Sequence, residues 1–135
     1  MIKHKGFTLI EILLMFSIFI IIMISCFFIY QEVDLERRIN REAKNISVIV
    51  TNMNDMNKKF PNQELKKSLL IDLDVFPENM TDKKLYRLKN NINGEMVDAE
   101  ITQNSNQLHY YRITPKQCVK MVGKVSPFFK TIYVG

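Results

Sequence analysis

Cysteine, histidine, glycine and proline are all scarce in this 135-residue chain, at two, two, four and four copies. Two cysteines cannot build a disulfide framework. Cys26 closes a long apolar run and Cys118 lies in the polar C-terminal region, so joining them would drag a residue of the folded part down to bilayer depth. Both are expected to be unpaired within the chain. His4 and His109 stand alone, without the Cys/His spacing of a metal site, and His109 in "LHYYRI" reads as a strand residue. The few glycines form no P-loop and no dinucleotide turn, and there is no nucleophile elbow, so neither an enzymatic activity nor a cofactor is expected. Asp72 and Asp74 sit two apart beside a loop and read as a solvated turn rather than a cation site. The sequons at Asn45 and Asn79 carry no weight. A dense basic patch is missing too. The 19 Lys and Arg against 14 Asp and Glu give a formal +5, but Arg37, Arg38 and Arg41 alternate with Glu36 and Glu42, and no nucleic-acid partner is expected.

What the chain does have is "KGFTLIEILLMFSIFIIIMIS" from Lys5 to Ser25, part of an apolar run over Phe7–Tyr30 whose single charge is Glu11. Wound as an α-helix, that run reaches roughly 36 Å against a hydrocarbon core of about 30 Å, long enough to span with some tilt. Lys3, His4 and Lys5 precede it and Glu32, Asp34 and Glu36 follow, so the amino terminus stays cytoplasmic and the rest is exported. No convincing signal-peptidase site follows the run. Neither Gly nor Pro occurs from Phe7 to Phe60, and Ile39, Ala43, Ile46, Val50, Met53 and Met56 recur at intervals of four, three, four, three and three. One helix to about Lys58 is expected, roughly 78 Å long. Its apolar stripe faces a globular domain, with Arg38, Glu42, Asn45 and Asn52 on the other faces, and Pro61 ends it. A charged Glu11 in hydrocarbon costs about 3 kcal/mol, so it calls for a partner. A neighbouring copy can present a positive group to Glu11 more easily than the same straight helix can.

Beyond Pro61, a short helix is expected over Gln63–Ile71, a turn at Asp72–Asp74 and a loop around Pro77. Asn93-Gly94 signals a turn, and two strands, Glu95–Thr102 and Gln107–Ile113, fit an antiparallel hairpin. Thr114 as N-cap and Pro115 at the first helical position open a helix with Cys118, Val119 and Val122 on one side. Lys130–Val134 is expected as a closing edge strand.

"KGFTLIE" resembles the processing signal of type IV pilins and pseudopilins: a basic leader ending in glycine, an aromatic residue, and a glutamate five residues in. The resemblance implies that prepilin peptidase cuts after Gly6 and methylates Phe7, and that Glu11 meets the amino terminus of a neighbouring subunit during assembly. The order of elements, with "FPENM", "NGEM", "LHYYRITPKQC" and "FKTIYVG", resembles type IVb pilins, the group of the bundle-forming and toxin-coregulated pili. It implies an α+β fold in which a long N-terminal helix packs on a small antiparallel sheet. The implied organisation is a leader over 1–6, a transmembrane and filament-core helix over 7–30, its amphipathic continuation over 31–60 and a small domain over 61–135. Implied partners are prepilin peptidase, other pilin subunits, an inner-membrane assembly platform and the membrane. Pilins of this group carry a second C-terminal cysteine that bridges to the one matching Cys118, and many break their first helix with Gly or Pro. This sequence has neither feature up to Gly135, so a minor pilin is expected. The alternatives are a pseudopilin of a type II secretion or competence system, or a single-pass membrane protein with an exported binding domain.

Overall fold

The computed structural model describes Gly6, residues 8–103 and residues 105–135. Helix α1 occupies Leu9–Lys59, as expected where no Gly or Pro interrupts 51 residues. The chain divides into two compact units at Asp34/Leu35. In the first unit, the described residues of α1 up to Val33 are all exposed. The second unit, Leu35–Gly135, holds the core.

Four strands follow in the second unit: β1 (Thr81–Asp82), β2 (Arg87–Lys89), β3 (Met96–Ile101) and β4 (Asn106–Tyr110). They form one antiparallel sheet in the order β1-β2-β3-β4. Leu88 opposes Val97, and Ala99 opposes Leu108, so period-two alternation puts these apolar residues on the face turned to α1. Helices α2 (Lys67–Asp72) and α3 (Pro115–Val125) complete the unit. The layout is α+β and pilin-like, a long N-terminal helix with a small antiparallel sheet. One apolar cluster joins Ile49 and Met53 of α1 to Leu70 and Ile71 of α2 and to Leu88, Val97 and Ile101 of the sheet. A second joins Ile39 and Ile46 to Ile92, Met121 and Val125, which seats α3 beside α1.

Several expectations need correction. Lys130–Val134 forms no strand; only a 3-10 turn at Ser126–Phe128 follows α3. Its β-prone side chains find no edge to pair with, and Tyr133 remains 92% exposed. The sheet instead recruits β1 and β2 from a stretch expected to be loop, where Leu88 is the one residue of β2 that is buried. The helix expected over Gln63–Ile71 begins only at Lys67, because Leu65 is extended and exchanges both backbone hydrogen bonds with Ile101, at 2.8 and 2.9 Å. On α3, Val119 is 74% exposed, and Met121 and Val125 turn inward with half-buried Cys118 and Val122. The cap of α3 is as expected: Thr114 Oγ1 accepts from Gln117 N and the Gln117 side chain accepts from Thr114 N, a reciprocal capping box. Cys26 and Cys118 are both free. The sequon residues bond to each other, Asn45 Nδ2 to Asn79 Oδ1 at 2.9 Å.

Candidate assembly surface

The first turn of α1 is organised by Thr8, whose Oγ1 accepts from Glu11 N at 3.3 Å and whose carbonyl accepts from Ile12 N at 3.1 Å. "TLIE" therefore has the Thr-x-x-Glu spacing of a capping box, a signal that reading the segment as a processing motif passed over. A carboxylate here also suits the positive end of the helix dipole. Glu11 is exposed, and among the described residues its side chain makes no ion pair. Phe7, the residue expected to become the new amino terminus, lies outside the described residues, and Gly6 is exposed.

From Ile12 to Tyr30 the helix is apolar around its whole circumference, the pattern of a helix whose cover is lipid or other protein rather than water. An 18-residue window reaches a mean hydropathy of 3.1 with none of it buried, so α1 is long and apolar enough to cross a membrane. The two serine hydroxyls inside it are already satisfied: Ser17 Oγ donates to Leu13 O and Ser25 Oγ to Ile21 O, each at 2.8 Å. Such back-bonding removes the cost of a bare donor in hydrocarbon. Glu11, just before this stretch, carries a charge for which the described residues supply no ion-pair partner.

In the second unit Arg38, Glu42, Asn45 and Asn52 of α1, expected on its other faces, are all buried or half-buried. Glu42, expected away from the domain, is fully buried at 0% exposure. Its Oε2 accepts from Asn91 N at 2.8 Å and Asn91 Nδ2 at 3.2 Å, and its Oε1 accepts from the Tyr110 hydroxyl. Burial, and secondarily the Glu42 charge, push the Tyr110 phenol well above its ordinary pKa of 10, so it stays a donor. Arg38 Nη1 donates to Ile92 O at 2.9 Å and Asn52 Nδ2 to Val75 O at 2.9 Å. These side chains flank the apolar stripe at helical spacing and fasten loops that would otherwise bury unpaired backbone groups. Nearer the start of the unit, Glu36 binds Lys124 at 3.0 Å and Lys120 at 3.4 Å, both on α3. The Lys124 contact first, then Lys120, holds the Glu36 carboxyl below its usual range.

Asp72 and Asp74 each have a partner within the chain. Asp74 Oδ1 accepts from Lys83 Nζ at 2.6 Å, and Asp72 accepts from the Tyr86 phenol, whose pKa it raises. The hairpin tip between β1 and β2 thus clasps the turn after α2, and Asp74 and Tyr86 take left-handed φ values of 55° and 50° to do so. Among the described residues no group of three or more His, Cys, Asp or Glu could hold a metal. His109 lies on the exposed face of β4, its ring beside Gln107 at 3.2 Å.

This organisation, a sheet docked on the second half of a helix whose first half is bare and apolar, coincides with a family match. The family model described as PilS N terminal matches residues 36–135. The chain belongs to this PilS N-terminal, pilin-related family. The match starts one residue after the folded unit does, so the PilS N-terminal signature covers the sheet, its helices and the docking half of α1, with the apolar half outside it. No curated protein matches the chain, and no solved structure does. Membership in the PilS N-terminal family and the apolar helix together make this a pilus-related chain.

Proposed function

We propose that the chain is a structural subunit, a minor pilin, of a type IVb pilus, held in the bacterial inner membrane by the first half of α1 with its amino terminus in the cytoplasm. Prepilin peptidase cuts after Gly6 and methylates Phe7, and the assembly platform then draws the helix out of lipid into a bundle with other pilin subunits. One observation carries this reading: a wholly exposed apolar helix bears a single carboxylate, Glu11, in its first turn, with no partner among the described residues. Lipid covers the apolar surface but leaves the charge uncompensated; a neighbouring copy covers both, because its cut end supplies an ammonium. Register follows, since only one axial offset between helices brings the two charges together.

The minor assignment rests on α1 running unbroken from Leu9 to Lys59, with no residue at which it would melt during assembly. The role is structural and not catalytic. Mass spectrometry of the chain from cells with active prepilin peptidase tests the processing step. A mature amino terminus at Phe7 carrying one methyl group is expected, and an intact Met1 would refute the reading.

A further inference from the structure

We propose that the cleft at the start of β3 is a binding site for a sugar ring that carries one carboxylate. It takes from the reading above only the exported setting in which acidic glycans are met. Binding itself needs no more than the folded second unit.

The cleft encloses about 490 Å³, within the range of small-molecule sites, and Lys67, Glu95, Met96, Asp98, Tyr111 and Arg112 line it. Alternation along β3 turns Val97 and Ala99 to α1, so Met96 and Asp98 project from the opposite, solvated face of the sheet. Two apolar side chains lie open there, Met96 at 45% and Tyr111 at 50% exposure. Charged groups of both signs surround them in two loose ion pairs, Lys67 to Asp98 at 3.6 Å and Arg112 to Glu95 at 3.8 Å. Pairs this long and this exposed hold little energy, so their donors and acceptors can turn to a ligand. Arg112 itself takes a left-handed φ of 54°, a conformation that a side-chain-bearing residue keeps only where its surroundings impose it. Asn93 does so, its Nδ2 donating to Arg112 O at 2.9 Å.

A peptide strand finds no backbone to pair with in this cleft. β3 lies inside the sheet, between β2 and β4, and at the mouth Glu95 O already accepts from Asn90 N at 2.9 Å, as Arg112 O does from Asn93. Recognition falls to side chains. A pyranose suits them: its C–H face covers Tyr111 and Met96, and its hydroxyls, each both donor and acceptor, fit between carboxylates and cations. The acid on the ring follows from charge. Lys89 stands opposite Met96 in the β2 to β3 register, hence on the same face; it is exposed and makes no ion pair among the described residues. Three cations, Lys67, Lys89 and Arg112, then face two carboxylates, Glu95 and Asp98, and one anionic group on the ligand completes the balance.

The test is titration of the full chain, in micelles of a detergent without sugar, followed by amide NMR shifts. The probes are the methyl glycosides of N-acetylmuramic acid, N-acetylneuraminic acid and the neutral N-acetylglucosamine. At least one acidic glycoside should shift residues 95–98 and 109–112 saturably, with a Kd on the order of 1 mM and roughly tenfold below that of the neutral ring. Muramic acid as the tighter ligand points to the cell wall and neuraminic acid to a surface glycan, and either supports the site. Arg112→Gly, which suits the left-handed backbone, and Tyr111→Ala should each raise that Kd about tenfold while Tm stays within about 5 °C of wild type. No saturable shift up to about 50 mM, shifts elsewhere, a neutral ring bound as tightly, or an unchanged Kd in either variant overturns the site. So does a tetraglutamate peptide that binds the cleft more tightly than both acidic sugars. The titration uses unassembled chain, so its failure is distinct from a failure of the processing test.

Discussion

Replacing Glu42 by alanine should unfold the second unit more readily than any surface change, and the structure sets the size of the effect. The carboxylate is fully buried and accepts three hydrogen bonds, from Asn91 N, Asn91 Nδ2 and the Tyr110 hydroxyl. Asn91 is half-buried, so its Nδ2 can turn toward water; the Asn91 N–H is fixed by the backbone, and the Tyr110 hydroxyl is held against α1 by its bond to Glu42. Each buried donor left unsatisfied costs about 1–3 kcal/mol. Relief of the carboxylate's own desolvation offsets part of this, leaving a net loss of about 3 kcal/mol. For a folded unit of about a hundred residues that is a fall in Tm of roughly 12–24 °C. The assay is thermal unfolding of the full chain in detergent micelles, followed by near-ultraviolet circular dichroism, which reads the packed tyrosines rather than the helix. Tyr110→Phe alone removes one donor and leaves Glu42 its Asn91 bonds, so it should lose only about 1 kcal/mol. In the double variant the losses should be less than additive, because the second change removes a donor the first has already stranded. A Glu42→Ala variant melting within about 5 °C of wild type would refute the hub.

Thr114→Ala removes the capping box of α3 and should cost about 1 kcal/mol, with Thr114→Ser close to wild type; denaturant midpoints at constant slope check both. The Glu36 carboxyl is held low by Lys124 and Lys120, so its stabilising contribution is present above the unfolded pKa of about 4.3 and is lost as pH falls through the lower folded value. Glu36→Gln should flatten that acid limb in melts between roughly pH 2 and 6, and an unchanged limb would place the acid sensitivity elsewhere.

Local signals were legible in the sequence where one segment supplied all that its structure needed. The uninterrupted α1, the Thr114-Pro115 start of α3 and the Asn93-Gly94 turn, with Gly94 at φ 74°, all follow from residues adjacent in sequence. The rest depended on partners far along the chain. Nothing in the helical spacing around Glu42 reveals that Asn91 and Tyr110, 49 and 68 residues away, will enclose it. A charged residue at the margin of an apolar stripe looks the same whether it meets water or a loop. β1 and β2 are two and three residues long and mostly polar, so pairing of β2 with β3 and of β1 with β2 creates them rather than any intrinsic preference. Lys130–Val134 fails for the converse reason, having the preference without the neighbour. At the assembly surface, Glu11 drew notice from sequence alone because a charge in an apolar run needs no distant partner to be conspicuous.

The most direct measurement is the share of a Glu11→Gln chain that reaches sheared filaments when it is expressed beside wild type, with insertion and the Phe7 terminus verified in the membrane pool. Losing one member of a buried charge pair costs about 3 kcal/mol, so that share should fall at least tenfold while insertion and processing persist. Glutamine incorporated as fully as glutamate would contradict the claim that this carboxylate joins one copy to the next.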